Sequence, residues 1–409
     1  MTHANVYTHQ PGNLSKRAVL DIGLKCTHSC NFCYYSFLDK TDSQFSGMRK
    51  TPFRKLEDLY SIIDGFTDFE SFDITGGEPT LHPNIVEIIK YATEKNKKTR
   101  IITLGQFMFH EGKLFKKDGK YLLDRLLDAG VTNFLFSVHG HTEDLFNKIT
   151  KESLNAQMKA WDYLANINFE FTTNTTVVND NYQHLPDIAR LVSKSNSYMH
   201  NFIFMNAYFE WNVEGRVFGK QAKFSEAKKY MDEAIDILES NGIAVNIRYM
   251  PMCVANQKNL VGVVGVRYDP YEWMNAETHL ENYDVNRSKT PIQIQKGFPE
   301  PAYYPFKFEK EFKIENTTVF AGRGGSGGKV FTEKCKSCHN ILNCDGVDPK
   351  YIKQYGDSEI TPIDIPANTY PPLVNTRAEY LPAFSVKNHQ FAKMKEYNKK
   401  YFKNMGQKL

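Results

Sequence analysis

Long apolar runs are missing from this chain. No stretch approaches the roughly 18 residues that a membrane-spanning helix needs, and the opening Met1-Thr2-His3-Ala4-Asn5-Val6-Tyr7 has no apolar signal region. Charge of one sign is scarce too. Lys and Arg number 51 against 47 Asp and Glu, and a net +4 over 409 residues offers neither nucleic acid nor an anionic membrane the basic surface it requires. Cysteine is rare and odd in number. Seven thiols cannot all pair, and they stand at ligand-like spacings, which points to metal binding in a reducing, cytoplasmic compartment and away from a disulfide scaffold. Aromatics are plentiful but carry no pattern of their own, so they read as core.

The stretch that organises the rest is Leu24-Lys25-Cys26-Thr27-His28-Ser29-Cys30-Asn31-Phe32-Cys33-Tyr34-Tyr35. Its C-x3-C-x2-C spacing lets a short loop aim three thiolates at one centre. A structural zinc closes its shell with four ligands, whereas three leave one metal position open. His28 stands too close to its neighbouring cysteines to complete a set. The loop reads as a [4Fe–4S] site held by Cys26, Cys30 and Cys33 with the fourth iron free; a zinc knuckle, or three chance neighbours, is the plainer alternative. Further on, Ser71-Phe72-Asp73-Ile74-Thr75-Gly76-Gly77-Glu78-Pro79-Thr80 reads as a short strand running into a glycine turn.

Together the two segments resemble the radical SAM enzymes, which pair C-x3-C-x-aromatic-C with a Gly-Gly-Glu-Pro turn. The resemblance implies that S-adenosylmethionine (SAM) binds the open iron and that Gly76, Gly77, Glu78 and Pro79 lie against its methionine end. It also implies SAM contacts for Ser137, at the end of Phe134-Leu135-Phe136-Ser137-Val138, and for Asn174, in Thr172-Thr173-Asn174-Thr175. Either residue also reads as an ordinary polar strand end. His139 and His141 follow Ser137 closely but read as structural. One position departs from the family pattern: Thr103-Leu104-Gly105 stands where Thr-Asn-Gly is usual.

Between these motifs, strand and helix patterns alternate. Helices are predicted at residues 55–66, 84–97, 121–129, 142–149, 154–164, 185–193 and 225–240, and strands at 71–74, 99–104, 133–138, 169–178, 201–205 and 244–250. About six strand–helix units of thirty-odd residues predict a parallel sheet with right-handed crossovers. By resemblance this is an α/β fold, a partial (β/α)6 TIM-like barrel with its site at the C-terminal strand ends, followed by a small loop-rich cluster domain. The expected division is an extension over 1–16, the barrel over 17–250, an auxiliary-cluster domain with a loop-rich insertion over 251–350, and a C-terminal extension over 351–409. That extension includes a basic amphipathic helix from Lys387, with Phe391, Met394, Tyr397 and Tyr401 on one side. Residues 1–16 are too few for the fused leader-peptide domain that many peptide maturases carry. Gly322-Arg323-Gly324-Gly325-Ser326-Gly327-Gly328-Lys329 fails as a phosphate loop, because Arg323 occupies the required glycine position and Val330 the Ser/Thr position.

A second thiol group stands near the end. Cys335, Cys338 and Cys344 form C-x2-C-x5-C, with Cys253 alone upstream. Four thiols are enough to saturate a second [4Fe–4S] cluster or a zinc site. The spacing resembles the SPASM and twitch subgroups; the full SPASM pattern needs another cysteine where Asp348 stands, which favours a shortened, twitch-like domain with one auxiliary cluster. Should Cys253 stand apart, substrate ligation by that cluster becomes possible.

The function implied is reductive SAM cleavage to a 5′-deoxyadenosyl radical that abstracts hydrogen from a substrate carbon, in oxidative peptide maturation or natural-product biosynthesis. A dehydrogenase or C–C bond-forming enzyme on a sugar or other small metabolite is the alternative, and a non-catalytic iron–sulfur electron carrier a remote one. A flavodoxin or ferredoxin is the expected electron donor, with neither nucleic acid nor membrane as partner. No catalytic residue is identified.

Overall fold

The computed structural model describes residues 17–33, 53–65, 71–205, 219–256, 263–264, 308–322, 329–338, 344 and 346–363. Tyr34, Tyr35, most of the 254–307 insertion, the glycine run at 323–328 and the tail from 364, with its predicted amphipathic helix, lie outside the described residues.

Eight parallel strands form the main sheet: β1 (Arg17–Asp21), β2 (Ser71–Thr75), β3 (Lys98–Thr103), β4 (Asn133–Ser137), β5 (Phe171–Val177), β6 (Ser197–Phe204), β7 (Ala244–Arg248) and a two-residue β8 (Val263–Val264). Their spatial order is their chain order, and every neighbouring pair is parallel. Parallel neighbours need crossovers. Those crossovers carry α1 (Leu56–Gly65), α2 (Ile85–Glu94), α3 (Leu122–Asp128), α4 (Glu143–Thr150), α5 (Leu154–Asn166), α6 (Leu185–Val192) and α7 (Phe224–Ser240). Among the described residues β1 and β8 are unjoined edges, so this is the expected open barrel, extended by one full strand and the short β8.

Period-two alternation sorts the strands into two faces. Phe72, Ile74, Ile101, Phe134, Phe136, Phe171, Phe202, Val245 and Ile247 join the apolar helix residues in one core. On α2 the contributors are Ile85, Ile88, Ile89 and Ala92. The opposite face is polar. Asp73 and Arg100 stand in register on β2 and β3, and the guanidinium grips both carboxylate oxygens, its Nε donating at 2.7 Å. Nearer the strand ends, Ser137, Asn174, Asn201 and Asn246 lie side by side across four strands.

Residues 308–332 correct the loop-rich expectation in part. They form an antiparallel sheet of β9 (Phe308–Ile314), β10 (Thr317–Gly322) and β11 (Val330–Thr332). The hairpin turns at Glu315-Asn316, where Glu315 takes φ 50°. A turn without Asn-Gly or Asp-Gly gives little local signal. Next comes α8 (Pro349–Tyr355), capped by the Asp348 side chain, which accepts from Lys350 N. The boundary expected at 350 therefore falls inside a helix. Tyr351 stacks on Phe224 at 4.0 Å and accepts from its backbone N–H at 2.8 Å, while Gln221 donates to Asp348 at 2.7 Å. These contacts fasten the segment after the small sheet to the start of α7.

Candidate active site

The three-cysteine loop leaves β1 and lies across the C-terminal ends of the strands. Cys26, Cys30 and Cys33 form no disulfide and are half-buried. Backbone hydrogen bonds pin the loop at both ends: Gly77 N to Gly23 O (2.8 Å) and Glu78 N to Lys25 O (3.0 Å) on one side, Ser29 N to Thr150 O (3.1 Å) and Asn31 N to Ile149 O (2.9 Å) on the other. The two glycines of the Gly-Gly-Glu-Pro turn are explained by this interlock. A Cβ on Gly76 would stand 2.0 Å from Gly23 O, and one on Gly77 2.3 Å from Lys25 O; no side chain fits there.

Glu78 and Pro79 continue the turn. Pro79 opens a single 3-10 turn, Pro79–Leu81, and the Glu78 carboxylate caps it by accepting from Thr80 N. Glu78 is 1% exposed. It also accepts from Thr80 Oγ1 (2.5 Å), Thr103 Oγ1 (2.8 Å) and Leu104 N (3.3 Å). His28 completes the set, its Nε2 3.1 Å from Glu78 and its Nδ1 2.7 Å from Glu152. Burial alone would lower the His28 pKa, but the carboxylates of Glu152 and Glu78 outweigh it and raise the value to about 9. Burial would likewise raise the Glu78 pKa, yet His28, Thr80 and Thr103 hold it below the usual carboxylate range. An imidazolium thus sits between two carboxylates inside the C-x3-C segment. Neither Glu152 nor Thr103 was singled out by the sequence reading. A pairing of residues 28 and 152 leaves no local pattern, although Thr103 does occupy a noted family position.

Ser137 and Asn174 meet as register partners, and the serine hydroxyl donates to Asn174 Oδ1 at 3.0 Å. His139 is 2% exposed, accepts from Thr176 N at 3.2 Å and packs edge-on against Phe32. Burial lowers its pKa to about 3, as befits the structural role expected of it. His141 lies in the turn before α4 and does not join these residues.

The other four thiols come together elsewhere. Cys253, Cys335, Cys338 and Cys344 line one small open pocket with Met252, Phe331 and other apolar residues. Burial pushes the Cys253 thiol up to about 12, and burial also raises Cys335; a bound cation reverses that preference by stabilising thiolate. Two backbone bonds close the rim, Gly346 N to Cys344 Sγ and Ile363 N to Cys338 Sγ, both at 3.4 Å.

Residues 20–192 match the Radical SAM superfamily. The chain is 27% identical over 137 residues to a probable GTP 3′,8-cyclase of Saccharolobus solfataricus, covering 33% of this chain and 39% of that protein. It is 22% identical over 177 residues to a PqqA peptide cyclase of Bradyrhizobium diazoefficiens, covering 42% of each. The chain spans about two fifths of the length of the first curated relatives it matches. Among solved structures, native anSMEcpe with bound AdoMet and the Kp18Cys peptide aligns over 94% of this chain and 99% of that one, with a TM-score of 0.50 and 12% identity. This last likeness concerns the fold.

Proposed function

We propose, from the match of residues 20–192 to the radical SAM superfamily, that this chain is a radical SAM enzyme acting on a peptide substrate. Cys26, Cys30 and Cys33 would hold the [4Fe–4S] cluster that the family implies. Their fit rests on three cysteines outside any disulfide on one pinned loop, with no fourth cysteine beside them in the sequence. When bound, the cluster and SAM supply one-electron cleavage to a 5′-deoxyadenosyl radical, which takes hydrogen from a substrate carbon.

The chain's own residues do the positioning. Gly76 and Gly77 lock the cluster loop against the end of β2. The Glu78–His28–Glu152 network braces that loop from within the C-x3-C segment. Gly76, Gly77, Glu78 and Pro79 offer the methionine end of SAM a turn whose conformation is already set. Ser137 and Asn174, joined at the ends of β4 and β5, are assigned to the nucleoside side.

Cys253, Cys335, Cys338 and Cys344 are assigned to one auxiliary [4Fe–4S] cluster. The shared pocket supports it. With all four thiols engaged, that cluster carries electrons or holds structure and leaves substrate alone. A peptide substrate is favoured by the PqqA peptide cyclase relationship; the GTP 3′,8-cyclase relationship favours the second reading, a small metabolite. Flavodoxin or ferredoxin would serve as reductant, and seven cysteines outside any disulfide suit the reducing cytoplasm.

The observation that carries the proposal is the interlock of the three-cysteine loop with the Gly-Gly-Glu-Pro turn. The test is iron and sulfide content with Mössbauer spectra, on anaerobically reconstituted wild type and on the Cys26→Ala/Cys30→Ala/Cys33→Ala variant. About eight irons falling to about four, with 5′-deoxyadenosine formed by the reduced wild type alone, is expected. Wild type that holds iron yet never cleaves SAM when reduced refutes it.

A further inference from the structure

Outside the two cysteine centres, the turns at one edge of the barrel mouth assemble a third donor set. His141 lies between β4 and α4, His184 is the N-cap of α6, and Asp187 stands in that helix's first turn. One ligand atom from each lies within 4.8 Å of the others. We propose that these three side chains bind one divalent first-row transition-metal ion of the zinc class, which clamps the β4–α4 turn to the β5–α6 turn.

Donor chemistry selects the ion. Two imidazole nitrogens and one carboxylate suit zinc, cobalt, nickel or ferrous iron, whereas calcium and magnesium prefer all-oxygen shells. Three protein ligands leave a position for water. His141 Nε2 stands 3.9 Å from Asp187 Oδ2, and the two imidazole rings are 5.3 Å apart at a 34° tilt. A metal about 2.0–2.2 Å from each donor requires the set to close by less than an ångström at that pair.

The fold leaves these imidazoles idle while fixing everything around them. His141 Nδ1 is buried with no hydrogen-bond partner, and His184 makes no side-chain capping bond although it occupies the cap. The carboxylate is oriented from behind: Arg190 donates to Asp187 Oδ1 at 2.6 Å and to Glu233 on α7 at 2.8 Å. Glu233 shares the arginine's charge, and Asp187 keeps its other oxygen toward His141. Supporting bonds of this kind raise metal affinity by holding ligands in place.

Asn181 joins the two turns. It is fully buried, and its Nδ2 donates to His139 O on one turn and to Thr176 O at the end of β5, while its Oδ1 accepts from Val178 N. The His184 backbone in turn donates to Asn181 O at 2.9 Å. The histidines therefore start from a stitched pair of turns, and little ordering is left for the ion to impose.

The test uses holoprotein whose cysteines are already loaded with iron, titrated anaerobically with Co²⁺ and, in competition with a chromophoric chelator, with Zn²⁺. One equivalent is expected beyond the iron, with cobalt d–d bands and no thiolate-to-cobalt charge-transfer band. His184→Ala and Asp187→Asn should each weaken binding at least tenfold, with iron content and the metal-free melting temperature unchanged. His141→Gln provides a second imidazole variant should His184→Ala fold poorly. Absence of the extra equivalent, equal binding by the variants, or a thiolate band on cobalt would each overturn the proposal.

Discussion

Gly77→Ala isolates the interlock on which the candidate active site depends. Its added Cβ would stand 2.3 Å from Lys25 O and 2.4 Å from Leu24 O. Both neighbours are backbone, so no side-chain rotation relieves the overlap and the cysteine loop must lift. Lifting breaks the bonds from Gly77 N to Gly23 O and from Glu78 N to Lys25 O. Each leaves partly buried groups unpaired at about 1–2 kcal/mol apiece, or about 2–4 kcal/mol together. At about 1.4 kcal/mol per decade, the docked-to-undocked ratio of the loop falls about 30- to 700-fold. Iron content after anaerobic reconstitution should drop from about eight to about four per chain, because the four-cysteine cavity is untouched. Gly65→Ala is the control: no atom lies within 4 Å of its Cβ position, and the variant should load as wild type does. Full iron loading and normal SAM cleavage by Gly77→Ala would refute the reasoning.

Three further outcomes follow from the same contacts. The His28 pKa rises from 6.5 to about 9 on folding, so its contribution is complete below pH 6.5 and is lost as pH climbs to about 9. The melting-temperature gap between wild type and His28→Gln should narrow over that window, and a gap constant from pH 6 to 10 contradicts it. Arg100→Met strands the buried Asp73 carboxylate and should cost about 3–5 kcal/mol in denaturant unfolding, most of it recovered by the Asp73→Leu/Arg100→Met double variant; a loss below 1 kcal/mol in the single variant would show that the pair is not needed. Tyr351→Phe leaves Phe224 N without its acceptor and should cost about 1–3 kcal/mol. Hydrogen exchange should rise at the start of α7, and unchanged protection there would count against α8 as the fastener.

Periodicity located the barrel because its helices bury single apolar stripes and its strands alternate. The α2 face of Ile85, Ile88, Ile89 and Ala92 is buried as the spacing requires. The start of β6 was harder. Ser197-Tyr198-Met199-His200 reads as polar, yet Ser197 and His200 are buried through bonds to Thr173 on the neighbouring strand. The C-x3-C-x2-C loop announced itself by spacing, but its internal brace did not. Glu152 follows His28 only after four helices, α1 to α4, have intervened in the chain. Nor does the Gly-Gly-Glu-Pro spacing show that the loop's own backbone packs against both glycines. Nor does one-dimensional spacing show that Cys253 shares a cavity with thiols more than eighty positions away.

The sequential strand order has a kinetic side. Each strand of the sheet pairs with its predecessor, so contacts are short in sequence and the barrel can grow unit by unit as synthesis proceeds. The cysteine loop is the exception. It is made first, but its anchors Ile149, Thr150 and Asp180 arrive more than a hundred residues later. Until then three thiols trail from an open edge strand, exposed to oxidation and to stray metal ions. Iron delivery to this chain is therefore expected to be productive only after residue 180 has been synthesised and folded.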